Sequence, residues 1–244
     1  MGEQTKRLEF DDLHLYFAAF EVRFDDSYLI WDRSGAVWSD ILRRFPELKL
    51  KHAEPNRVAF GTSRDDDEMQ IAVQVGLVNV SVVLPDKKLE RLTRAATHVT
   101  EVAANRLEVD KYLRVGLRTQ FTMDFEKPED AVAAILSTGL VKLPDGPHFG
   151  LNATPASVEY SIRTEDGKNG FSLWLKTDTV KIDLEPPFGF GSYTNGVHET
   201  RYRAILDVDR FIMSPVLSSQ LRVEDWVAQT LHIIKRDGER LLGG

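Results

Sequence analysis

The chain contains no cysteine in 244 residues. Disulfides, thiol catalysis, iron–sulfur clusters and thiolate zinc sites are excluded together. The composition is compatible with a reducing setting, and a cytoplasmic location is expected. No apolar run approaches the roughly 18–20 residues that a membrane span needs. The start, Met1-Gly2-Glu3-Gln4-Thr5-Lys6-Arg7, lacks the apolar stretch of a secretory signal. Lys6 stands where a myristoylation motif needs Ser or Thr. No membrane partner is therefore expected. An excess of basic residues is also lacking: Lys and Arg number 31 against 38 Asp and Glu, a net charge of −7. A general nucleic-acid binder is normally basic, so the charge argues against nucleic acid as a partner.

Catalytic and cofactor signatures are missing as well. No Gly-x-Ser-x-Gly elbow occurs. The six histidines, His14, His52, His98, His148, His198 and His232, include no His-Glu-x-x-His or other close metal spacing, and read as structural or surface groups. Asp65-Asp66-Asp67-Glu68 offers carboxylates, but adjacent acids on a hairpin tip diverge, and calcium-loop spacing is absent. The glycine-rich stretch from Phe188 to Gly196 lacks the Gly-Lys-Ser/Thr of a phosphate loop and leads into a strand. Glycine-rich loops also occur in tandem ferredoxin-like CRISPR RNA-processing endonucleases, whose strand order fits poorly with a chain that ends in a long helix. With two Phe and one Tyr, the stretch reads as a lid or a partner contact. No cofactor, metal or catalytic residue is assigned.

What is present is enough apolar residue, 42%, to build a proper core. Its periodicity alternates between strand and helix signals. Leu13–Phe24 reads as a strand whose apolar register slips near Ala18-Ala19, suggesting a bulge there. A helix capped by Asp32 or Ser34 is expected to run to about Phe45, with Val37, Trp38, Ile41, Leu42 and Phe45 on one face. Four strands follow, at Leu48–His52, Arg57–Thr62, Glu68–Val75 and Leu77–Leu84. Pro85-Asp86 then opens a helix to about Leu107.

The order then repeats. Lys111–Phe125 alternates as a strand, and Pro128 starts a short helix over Glu129–Ser137. Strands are expected at Ser157–Thr164, Gly170–Thr177, Val180–Leu184 and Thr200–Phe211, before a helix from about Val223 to Leu242. Residues 8–107 and 108–244 thus form two α+β halves of the same element order, an internal duplication at element level. No low-complexity linker divides them, so both are expected to share one mainly antiparallel sheet. Helices that follow strand meanders cover one face, leaving the other open. This strand–helix–four strands–helix order, given twice, resembles the TATA-binding-protein fold in architecture, which transfers no function.

Alternation places Glu21, Arg23, Tyr112, Arg114, Arg118, Arg163, Trp174 and Arg203 on the open face. If the halves pair through their first strands, Glu21 and Arg23 lie beside Arg114 and Arg118. Glu21 offsets only one arginine, and the remainder is expected to attract a carboxylate or phosphate from a partner, a ligand or the chain's own loops. The competing reading is a solvated face held by cross-strand ion pairs. Phe20, Val22, Phe24, Val115, Leu117 and Phe121 are expected to be buried together on the other face.

Three stretches carry a family resemblance: Phe20-Glu21-Val22-Arg23-Phe24, Arg114-Val115-Gly116-Leu117-Arg118, and Leu206-Asp207-Val208-Asp209 followed by the terminal helix. The combination resembles the sporadically distributed prokaryotic proteins of unknown function known as the TIGR04255 family. Thr119 stands where that pattern usually has an aromatic, and His232-Ile233 where it has a His-Glu pair. The family has no settled activity, so the resemblance implies architecture alone. The expected function is a non-catalytic binding or regulatory protein. It would use the open sheet face and the glycine-aromatic loop, with a protein or an anionic small ligand as partner. Two alternatives stand beside it: an enzyme acting on nucleic acid or a phosphorylated small molecule through the Arg-rich face, and a subunit of a multiprotein assembly.

Overall fold

The computed structural model describes residues 7–62, 69–83, 89–143, 150–151, 155–184 and 197–243, with side chains for all of these except 181–184 and 197–199. In chain order the first elements are β1 (His14–Arg23), α1 (Leu29–Arg44), β2 (Lys49–Glu54), β3 (Arg57–Gly61), β4 (Met69–Gln74), β5 (Leu77–Val83) and α2 (Glu90–Arg106). They are followed by β6 (Lys111–Tyr112), β7 (Arg114–Phe125), α3 (Pro128–Ser137), β8 (Glu159–Glu165), β9 (Asn169–Leu184), β10 (Val197–Ile212), β11 (Val216–Leu217) and α4 (Val223–Gly243).

Nine strands form one antiparallel sheet in the order β2-β3-β4-β5-β1-β7-β10-β9-β8. The central pair is β1 and β7, with Val22 opposite Val115 and Phe20 opposite Leu117. Each is flanked outward by the last strand that its own half adds to this sheet, β5 beside β1 and β10 beside β7. Outward from the centre, β5, β4, β3 and β2 follow β1 on one side, and β10, β9 and β8 follow β7 on the other, one strand fewer.

One face of the sheet carries the core. Phe20, Val22, Val115 and Leu117 are fully buried in one apolar cluster, with Ile30, Val37 and Ile41 of α1 and Leu92, Ala95 and Val99 of α2. Leu173, Leu175, Leu206 and Val208 form a second cluster with Val132 and Ile135 of α3. Helix α4 joins the two: Val227 lies in the first and Ile234 in the second. By the register, all these strand residues point to the same side. The four helices thus cover one face and leave the other open.

Several local expectations are corrected. The bulge lies at Tyr16, where the β1–β7 register shifts between Leu15 and Phe17, rather than at Ala18-Ala19. Phe17 consequently sits on the open side opposite Gln120, although it is apolar. The second half contributes four strands to the sheet rather than five, because Gly170–Thr177 and Val180–Leu184 are one strand, β9. Asp178-Thr179 looked like a break, but Arg203 and Tyr202 of β10 pair across it. Helix α1 starts at Leu29, ahead of both proposed caps, and Trp38 is 42% exposed rather than buried. Phe121 packs on the second cluster, with its ring centroid 5.0 Å from Phe10, and not with Phe20 and Val22.

The open sheet face as a candidate binding surface

The open face is built from alternate residues of five adjacent strands. Across the centre, Ala19 of β1 lies opposite Arg118 of β7, which lies opposite Asp209 of β10, which lies opposite Ser172 of β9, which lies opposite Arg163 of β8. One step along, the row runs Glu21, Gly116, Phe211, Gly170, Glu165. One step the other way it runs Phe17, Gln120, Asp207, Trp174, Ser161. Side-chain alternation brings these residues together from positions up to about two hundred apart in sequence.

Two linked ionic centres occupy this surface. Arg114 donates through Nη1 to Glu21 at 3.0 Å and through Nη2 to Asp209 at 2.7 Å. Arg118 grips Asp207 in a fork, with Nε 2.9 Å from Oδ1 and Nη2 2.6 Å from Oδ2. Gln120 Nε2 adds a third donor to Asp207, at 2.8 Å from Oδ2. This geometry suits the planar guanidinium. The hydrogen bonds that Arg118 donates to Asp207 raise its pKa, against the opposing effect of burial. Burial holds the Asp209 carboxyl above its ordinary range, although Arg114 and Arg118 pull it the other way. The network joins three separate stretches of the chain: Glu21, Arg114, Arg118, Asp207 and Asp209 are its members.

Aromatic rings fill the gaps between the charges. Phe211 is only 3% exposed although it lies on the open face. The guanidinium carbons of Arg114 and Arg163 stand 4.9 Å and 5.4 Å from its ring centroid. Glycine at both cross-strand neighbours makes room: a Cβ on Gly170 would fall 2.5 Å from the Phe211 ring, and one on Gly116 would fall 2.5 Å from Arg114 Nη1. Arg118 lies 5.9 Å from the Trp174 ring, and Arg203 lies 4.8 Å from the Tyr16 ring.

Seven of the eight expected residues belong to this face. Arg23 lies at its end, held by Glu21 at 2.8 Å. Arg163 and Arg203 bond Glu165 and Asp124 at 2.7 Å and 2.6 Å. Tyr112 is the exception. It is 1% exposed, packs edge-on against Phe24 and donates to the Thr100 carbonyl at 3.0 Å. The expected strand breaks at Leu113, whose N–H bonds the Arg23 carbonyl, so alternation carried back from Arg114 fails at Tyr112. The expected surplus of arginine charge is also corrected. Asp207, Asp209, Asp124 and Glu165 supply the missing carboxylates, and all five arginines are bonded within the chain.

Asp207, Asp209, Phe211 and Gly170 were not assigned to the face from sequence. The alternation Leu206-Asp207-Val208-Asp209 was the available signal, but only the long-range pairing of β10 with β7 puts it beside the arginines. Asp65–Glu68, His148 and the Phe188–Gly196 stretch lie outside the described residues, as does the side chain of His198. His98 donates through Nε2 to the Asp40 carbonyl at 3.1 Å and packs edge-on against Phe45. Among the described residues, no three His, Asp or Glu side chains group to hold a metal ion.

No protein-family model matches the chain, and no curated protein matches it in sequence. Among solved structures, the NMR structure of PA4090 from Pseudomonas aeruginosa is 13% identical with a TM-score of 0.24, covering 37% of this chain and 82% of that one. The Pseudomonas aeruginosa T6SS protein PA0821 is 11% identical with a TM-score of 0.23, covering 46% of this chain and 42% of that one. Likenesses this slight carry neither fold nor function. Among the described residues, no helix is long and apolar enough to cross a membrane.

Proposed function

We propose that this is a non-catalytic binding or regulatory protein whose open sheet face receives a protein partner. One observation carries the reading. The face opposite the helices presents arginines stacked on aromatic rings, Arg118 with Trp174 and Arg114 and Arg163 with Phe211. Arginine and tryptophan are the side chains that dominate protein interfaces when a partner excludes water around them. Because each arginine already has a carboxylate, the face offers paired charges rather than a cationic field. A phosphate backbone needs the latter. A polar protein surface of mixed sign is the matching partner. The ion pairs also hold the arginines in place, lowering the ordering cost on binding. In the same reading the protein works in the cytoplasm, where a chain without cysteine is at home.

The test uses the whole chain as bait in a native lysate, with quantitative mass spectrometry. A partner retained by wild type and by Trp38→Ala on the helix side, but lost by Trp174→Ala, supports the reading. Retention by wild type and both variants overturns it.

A further inference from the structure

A second concavity lies on the other side of the sheet and owes nothing to the open face. Between the outer strands β8 and β9 and the C-terminal half of α4 runs a groove of about 360 Å³. Its walls include Tyr160, Ile162, Leu173, Ile233 and Leu241. Ile162 is 41% exposed. The volume falls within the range of small-molecule sites, where an apolar cleft carries few convergent polar groups. At roughly 30 Å³ per non-hydrogen atom, water's share of the liquid, it holds about a dozen such atoms.

One end of this groove holds an arginine on the core side of the sheet. Arg210 lines it, with Leu117 and Phe171 as its cross-strand neighbours. A cation in such surroundings is costly unless paired, and burial lowers the Arg210 pKa. Among the described residues its side chain makes one hydrogen bond, from Nη1 to the buried Thr230 Oγ1 at 2.9 Å. A guanidinium has five N–H donors, so most remain to be used. Asp166 and Asp237 act on Arg210 electrostatically, but both are committed elsewhere. Asp166 accepts from the Lys168 and Asn169 amides at 2.9 and 2.6 Å. Asp237 accepts from both arms of Arg236 at 2.8 and 2.9 Å.

We infer that the groove is a binding site for a small monoanionic amphiphile, with its carboxylate on Arg210 and its apolar tail along Leu173, Tyr160 and Ile162. The two aspartates at the same end oppose a second negative charge, which selects a carboxylate over a phosphate ester. The fork of the guanidinium suits a carboxylate's two oxygens.

Isothermal titration calorimetry on the full chain tests this with three probes of equal tail length: decanoate, decanol and decylammonium. Decanoate binds wild type at least tenfold tighter than the other two, and Arg210→Met removes that preference. Should Arg210→Met fail to fold, Ile162→Glu on the exposed edge strand serves instead: it places a negative charge in the tail channel and weakens decanoate at least tenfold. No decanoate binding, equal binding of all three probes, or unchanged decanoate affinity in the folded variants would overturn the inference.

Discussion

Arg118 and Asp207, on neighbouring strands β7 and β10, are joined by a two-armed hydrogen bond in which the Asp207 side chain is 2% exposed while that of Arg118 keeps 49% of its surface. The two halves of the pair are therefore unequal. Removing Arg118 leaves a buried carboxylate with Gln120 as its remaining side-chain donor. Removing the charge from Asp207 leaves a guanidinium that can turn to water. Arg118→Ala is expected to cost about 2–4 kcal/mol, in the manner of a broken buried pair. Asp207→Asn is expected to cost about 1 kcal/mol, the worth of an ordinary hydrogen bond. Urea midpoints of the two variants check the order, and equal losses would show that Asp207 is not the buried member.

The Phe211 ring sits between two glycines that are not equivalent. At Gly170 an added methyl meets the ring itself, which Arg114 and Arg163 hold on its face. At Gly116 it meets the far end of the flexible Arg114 side chain. Gly170→Ala is expected to destabilise by about 1–3 kcal/mol through overpacking. Gly116→Ala is expected to lie near zero, because alanine in a strand also recovers roughly 0.5–1 kcal/mol of backbone entropy. Thermal melts of both variants separate the two cases.

Val115→Ala removes buried methyl groups at the β1–β7 junction, where Val115 is fully enclosed opposite Val22. The expected loss is about 1–4 kcal/mol, from lost burial and an incompletely closed cavity. An unchanged urea midpoint would place Val115 outside the core.

That expectation rests on strand alternation, and alternation is where the sequence was most legible. Val115 and Leu117 against Arg114 and Arg118 admits one orientation, since the reverse would bury two arginines. The spans of α2 and α4 were readable as well. Irregularities were not. A bulge at Tyr16 and a break at Leu113 each shift alternation by one, and neither leaves a Gly or Pro signature. For the same reason Tyr112 was placed on the wrong face. The candidate surface was half visible: its arginines were found, but Asp207, Asp209 and Phe211 come from β10, about ninety residues beyond β7, and their proximity depends on strand order.

Tyr112 supplies a pH-dependent test of its correction to the core. Burial, aided by the nearby negative charge of Glu101, raises its pKa well above the ordinary tyrosine value. The folded protein keeps the phenolic proton when the unfolded chain loses it. Its contribution to stability is therefore complete below the unfolded pKa of about 10 and is lost as pH rises beyond it. Wild-type stability is expected to fall more steeply above about pH 10 than that of Tyr112→Phe, which at neutral pH is weaker by about 1 kcal/mol for the hydrogen bond to Thr100. Parallel alkaline unfolding curves for the two proteins would mean that Tyr112 is solvated.

The central claim is that the open face, and not the helix side, meets the partner. A photo-crosslinking residue placed at Trp174 on that face, and separately at Trp38 on α1, tests it in native lysate. Trp38 is itself 42% exposed, so the comparison position is open to contact. The account predicts a discrete crosslinked species from position 174 and none from position 38; a crosslink from position 38 alone would contradict it.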